Sequence, residues 1–322
     1  MKTLCLFLAC ASFPLPAAEF PQAEISNGLV RAKLYLPDPD KGYYHATRFD
    51  WSGVIYSLQY KGHEFFGQWF PKYDPKRHDS ITGPVESFKT GETSLGYDEA
   101  KAGETFIRIG VGVLRKPEER QFSDFKTYEI LDSGTWSVHA KADRVEFEHR
   151  LKGPSGHAYL YKKTVRLEKG KPQLAIEHSL KNTGGKPIET DVFNHDFFMF
   201  DNQPTGPGVT VKFPFELKPT RDLNGLAEVR GKQVVYLKEL ANGQSAFTNF
   251  EGFGATAADF DIRVENRKTG TGVREVGDQP ISKVVFWSIR TTVCPEAYNH
   301  FRVEPGKEAK WRITYEFYEL PK

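Results

Sequence analysis

The segment "YKKTVRLEKGKPQLAIEHSLKNTGGKPIETDVFNHDFF" runs from Tyr161 to Phe198 and reads as three β-strands separated by two turn clusters. The first two strands, over 159–168 and 173–182, alternate apolar and polar side chains or carry β-favouring residues. "EKGKP" and "NTGGKP" supply the Gly and Pro that turns require. The third strand is apolar except for Asn194, His195 and Asp196, set between Phe193 and Phe197. An unpartnered polar group in an apolar interior costs about 1–3 kcal/mol, so this triplet needs a reason. Successive strand residues face opposite sides, which separates His195 from Asn194 and Asp196. Two readings follow: a core histidine bonded to its neighbours, or a histidine displayed inside a binding cleft.

Working outward, the same strand signature recurs at 29–36, 53–60, 105–114, 135–142, 144–151, 283–290 and 310–318. "DPDKG", "NQPTGPG" and "EPGKE" punctuate the chain between them. Only "DLNGLAEV" suggests a turn or two of helix, and no repeat or low-complexity linker interrupts the pattern. The expectation is an all-β chain of packed antiparallel sheets in one domain, 19–322. Residues 73–104 are polar, turn-rich and long for a hairpin, as expected of a loop that builds a binding site.

The first 18 residues read as a secretory leader. Lys2, the apolar "TLCLFLACASF" and the small-residue end "PLPAA" fit a signal peptide and are too short for a membrane span. The expected location is exported, periplasmic or extracellular; Cys10 raises lipoprotein anchoring as the lesser alternative. Cys294 is then the one cysteine left, which excludes an internal disulfide and a cysteine-based metal site. The net charge of +2, without a basic block, argues against a nucleic-acid partner. Twenty-five Phe, 14 Tyr and 5 Trp suit β-sheets and also the stacking of sugar rings. His139, His149, His157 and His178 lack metal-ligand spacing and read as structural. There is no phosphate loop, dinucleotide glycine fingerprint or Gly-x-Ser-x-Gly elbow.

Three segments, in order along the chain, resemble the aldose 1-epimerase (galactose mutarotase) family. "DWSGVIYSLQYKGHEFF" (50–66) is similar to that family's opening hairpin. "L.IEHSLKNTG" followed by Asn-His-x-Phe-Phe resembles its central hairpin and the strand after it. "CPEAYNHFRVEPGKEAKWRITYEF" (294–317) resembles its closing segment, with Pro-Glu-Ala-x-Asn for the family's Pro-Asp-Ala-x-Asn. The resemblance implies a β-supersandwich of two large twisted antiparallel sheets with a carbohydrate cleft on a concave face. It also implies acid–base interconversion of sugar anomers, with proton transfer at the C1 hydroxyl and the ring oxygen by two groups on opposite sides of a pyranose. No metal or cofactor is required.

By that resemblance His195 takes the place of the acid histidine. The family's glutamate base falls near Arg290 in "FWSIRTTVCPEAYN", a departure from the pattern; Glu296 is the nearest acid and is expected to enter the cleft from a turn. An arginine at the base position would suit an anionic group, such as a uronate or a sulfate. A second family histidine corresponds to Thr82 in "SITGPVESF" (80–88), with His78 and Glu86 as nearby substitutes. "HATRFDW" (45–51) reads as a strand with Arg48 and Asp50 on one face and Phe49 and Trp51 on the other. Either Arg48 bonds sugar hydroxyls and Trp51 or Phe49 stacks a ring, or Arg48 and Asp50 form a surface pair over a buried Trp51; Asn194 completes the expected contacts. Two other activities stay open. One is a polysaccharide lyase or glycosidase-associated protein on anionic glycans, using Arg290, Tyr298, Asn194 and His195. The other is a carbohydrate-binding module without turnover.

Overall fold

The computed structural model describes residues 20–321, so the leader reading over 1–18, with Cys5 and Cys10, lies outside the described residues. Within them there are 23 strands and one three-residue 3-10 helix. No helix among them is long and apolar enough to cross a membrane. Every pairing between neighbouring strands is antiparallel.

Two sheets dominate. The larger has ten strands, with Gln173–Asn182 and Glu308–Glu319 near its centre. The other has six, in the order Lys218–Pro219, Ser245–Glu251, Lys283–Ile289, Thr292–Val303, Ile188–His195 and Val85–Lys89. Smaller sheets of four and three strands flank them. The strand pattern led us to expect packed antiparallel sheets, and two large ones are what the resemblance implies.

Alternation along the six-stranded sheet sorts its side chains between a core and a cleft. Val284, Phe286, Ala246, Phe250, Val293 and Ala297 turn inward and join Ile176, Ile313, Tyr315 and Phe317 of the ten-stranded sheet in the main hydrophobic core. Lys283, Val285, Trp287, Glu296 and Tyr298 turn to the other side. There a second apolar cluster, including Phe49, Trp69, Ile81 and Phe197, packs over part of that outer face.

The sequence-based strands match closely: 173–182 is found as read, and 283–290 and 310–318 become Lys283–Ile289 and Glu308–Glu319. Two local readings change. "DLNGLAEV" forms a turn leading into strand Ala227–Arg230, not helix. Residues 73–104 hold strand Val85–Lys89, which extends the six-stranded sheet beyond Ile188–His195. Gly83 makes that entry feasible: a Cβ there would lie 2.5 Å from the carbonyl oxygens of both His195 and Asp196.

Candidate functional site: a buried His–Glu pair in a sheet-floored cleft

A cleft of about 740 Å³ lies on the outer face of the six-stranded sheet. Its floor is built by register. Phe193 pairs with Tyr298, Lys283 with Tyr298, Val285 with Glu296, and Phe247 with Trp287, so these side chains emerge on one face. His195 shares that face as the last residue of its strand. Loop residues supply the walls: Arg48, Trp69, His78, Asp79 and, from the 121–125 segment, Asp124 and Phe125.

His195 and Glu296 meet on this floor, with Nε2 3.2 Å from Glu296 Oε1. Both line the cleft although each is only 4% exposed. Aromatic rings fix the imidazole. Phe197 stacks on it at 3.9 Å and 9°, Trp69 stacks on Phe197 at 4.7 Å, and Trp287 and Phe49 abut it edgewise. Phe197 adopts a left-handed backbone conformation, φ 48°, which is unfavourable for a bulky residue. That conformation follows directly on the end of the His195 strand.

Burial dominates the electrostatics. It pushes the Glu296 carboxyl up to about 8, against the opposing pull of Arg48, Tyr298, Lys283 and Lys89. Burial, reinforced by the Arg48 charge, holds the His195 imidazole well below its ordinary value. At neutral pH the pair is therefore a protonated carboxyl beside a neutral imidazole, and His195 Nδ1 has no hydrogen-bond partner among the described residues. Such a pair can give one proton and take another.

The structure divides the residues singled out from sequence. His195, Glu296, Arg48 and His78 line one cleft. Glu296 lies not in a turn but within the 12-residue strand Thr292–Val303, where Pro295 is tolerated opposite Phe286. The hollow expected between imidazole and carboxylate is also absent: the two touch, because their strands are antiparallel neighbours and the Phe193–Tyr298 register, continued two residues, sets both side chains opposite each other on the outer face.

Four expected contacts do not line the cleft. Arg290 follows strand Lys283–Ile289 in the turn to the next strand, where it bonds the Glu239 carboxylate and the Leu240 carbonyl. Trp51 is buried and donates to the Ala46 carbonyl at 3.0 Å. Asn194 faces the core, as alternation requires, and donates to the Tyr315 hydroxyl at 2.9 Å. Glu86, paired in register with Asn194, also points inward; it binds Lys163 and accepts from His178 Nε2 at 2.8 Å. Burial alone would raise Glu86, but Lys163 and His178 outweigh it and hold the carboxyl down at about 2. Asp50 joins this buried group through Lys163, so the Arg48–Asp50 surface pair suggested by the sequence does not form. Of the residues set aside for a lyase, only His195 and Tyr298 line the cleft.

Behind the floor, the Tyr315 hydroxyl donates to Asp196 Oδ1 at 3.0 Å and lies 3.4 Å from Glu275 Oε1. Burial raises Glu275 to about 8 and Asp196 well above the carboxylate range, the latter also repelled by Glu275. Sequence reading missed Trp69, Phe193, Phe197, Lys283, Trp287 and Phe125 as cleft residues. The floor members were within reach, since Phe193 and Phe197 share His195's parity and Lys283 shares that of Trp287; placing Trp69 or Phe125 needed the loop paths. Among the described residues no three metal-ligating side chains cluster.

No protein-family model and no curated protein sequence matches the chain. Solved structures do match by shape. A galactose mutarotase related enzyme from Lactobacillus acidophilus aligns at TM-score 0.56 and 12% identity, over 94% of this chain and 100% of its own. A putative aldose 1-epimerase from Escherichia coli K12 aligns at 0.55 and 11%, over 93% and 99%. The GalM/aldose epimerase homologue from C. elegans aligns at 0.56 and 13%, over 95% and 100%. The fold is thus the galactose mutarotase-like one, in a chain that shares little sequence with these neighbours.

Proposed function

We propose that this protein is an exported, aldose 1-epimerase-like isomerase, in which His195 and Glu296 exchange protons with the C1 hydroxyl and the ring oxygen of a free sugar. The observation that carries this reading is the 3.2 Å contact between the two groups on the floor of an open cleft. The C1 hydroxyl and the ring oxygen are attached to the same carbon. A donor and an acceptor side by side therefore reach both from one side. Glu296, holding its proton at neutral pH, protonates the ring oxygen; neutral His195 takes the proton of the C1 hydroxyl. The C1–ring oxygen bond breaks as the C1 carbonyl forms. Rotation about C1–C2 and the reverse transfers close the other anomer and restore both groups. These are the reverse of the roles expected from the resemblance, because burial favours the neutral form of each side chain.

The aromatic floor of Phe193, Trp287 and Tyr298 supports the carbohydrate reading, since flat rings suit pyranose faces. Polarimetry on freshly dissolved α-glucose and α-galactose tests it. Catalysed mutarotation should fall at least about 100-fold in His195→Ala and in Glu296→Gln, the range typical of losing a positioned proton-transfer group. Equal rates with and without protein would overturn the isomerase assignment, and sugar binding without rate enhancement would make the protein a binding module.

A further inference from the structure

The acids of the cleft are all engaged, and two of its cations are not. Asp79 pairs with Arg77 at 2.8 Å and with His78 at 3.4 Å. Asp124 pairs with Arg108 at 2.7 Å and with Lys89 at 3.1 Å; Glu92 lies 3.6 Å from Lys89. Glu296 is in contact with His195. By contrast, the side chains of Arg48 and Lys283 make no ion pair or hydrogen bond among the described residues. Both are held by rings. The Arg48 guanidinium carbon lies 4.6 Å from the centre of Phe49 and 5.0 Å from that of Phe125, and Lys283 Nζ lies 5.3 Å from that of Tyr298.

The placement of Arg48 is built. Buried Arg108 donates to its carbonyl from Nε and Nη2, at 3.1 and 2.8 Å, and Ser87 Oγ donates to the same oxygen at 3.1 Å. A long, mobile cation is thus anchored by its backbone and flanked by two rings, with its charged end left for something outside the chain. Arg48 and Lys283 both act electrostatically on Glu296, so the two charges converge on the reacting pair from the wall and the floor.

We propose that the cleft takes a sugar bearing an oxyanion, a carboxylate or a phosphate, held jointly by Arg48 and Lys283. The inference rests on the carbohydrate reading above and names its substrate class. A planar guanidinium suits either oxyanion through paired hydrogen bonds, and a lysine adds a point charge. The sequence directed this role to Arg290, which is occupied by Glu239 outside the cleft.

Isothermal titration calorimetry on the full chain tests the proposal with D-glucose, D-galactose, D-glucuronate, D-galacturonate and D-glucose 6-phosphate. At least one anionic sugar should bind about tenfold or more tightly than its neutral parent, an advantage that shrinks as salt rises. The uronate and phosphate arms identify the oxyanion. In Lys283→Gln and Arg48→Gln the preference for the anionic sugar should fall to within about twofold. A neutral parent that binds as tightly as its anionic partner overturns the proposal and leaves the carbohydrate reading standing; so does a preference that survives both substitutions. Binding of no sugar at all overturns both. The comparison within the wild-type chain decides the matter even where a variant fails to fold.

Discussion

At the residue scale the pair His195–Glu296 depends on burial. Both groups sit where charge is disfavoured, and the outcome is a proton kept on the carboxyl up to about pH 8. If Glu296 supplies that proton, activity declines as pH rises through about 8. The acid limb lies well below the usual histidine range, because His195 must first become protonated. A pH–rate profile checks this, and a plateau extending above pH 9 would contradict it. Lys163 is the second informative residue. Fully buried, it bonds Glu86, lies 3.6 Å from Asp50 and donates to the Ser52 carbonyl at 2.8 Å. Lys163→Met leaves two carboxyl groups without their cation, and breaking such a buried cluster costs about 3–5 kcal/mol. Denaturant unfolding should show that loss.

At the element scale, the site is a consequence of strand parity and register. Glu296 meets His195 on the cleft floor only because Thr292–Val303 pairs with both Ile188–His195 and Lys283–Ile289. Edge strand Val85–Lys89 then locks the His195 strand from the other side, with Gly83 at the point of closest approach. Gly83→Ala drives a methyl into two backbone carbonyls, which cannot yield as a flexible side chain would. The expected destabilisation is about 1–3 kcal/mol. Because those carbonyls belong to His195 and Asp196, the rate of mutarotation should fall even in the fraction that remains folded. Wild-type turnover at unchanged stability would refute this account of the strand's entry.

At the scale of the whole molecule, buried ionisable groups set the pH dependence of stability. Glu275 and Glu296 are each raised from 4.5 to about 8. Their contribution is complete below pH 4.5 and is lost as pH rises towards 8, because unfolding lets them ionise freely. His149, lowered from 6.5 to about 4 by burial, works the other way: its contribution is present above pH 6.5 and is lost as pH falls to 4. Between pH 4.5 and 6.5 the histidine trend offsets one of the two carboxyls, so a shallower decline remains. Above 6.5 only the carboxyl trend remains, so stability should fall towards pH 8 by roughly 2 kcal/mol per carboxyl. Thermal unfolding across that range checks the sign. Glu275→Gln, which retains the shape without the ionisation, should flatten the decline.

Alternation along the chain was enough to determine the all-β class, most of the strands and the opposite facing of His195 and Asn194, because side-chain parity is a local property of extended backbone. The same rule misled nowhere in that strand. It failed over 45–51, where the chain is not a strand and Arg48, Asp50 and Trp51 go to three separate environments. Glu296 was singled out by sequence, yet its direct contact with His195, the exclusion of Arg290 and the inward turn of Glu86 were decided only by tertiary structure. Those facts depend on which strands pair and in what register, and pairing is fixed by contacts between residues about a hundred positions apart. Nothing within either local segment carries that information, since a shift of one residue would send Glu296 into the core and leave its own alternation unchanged.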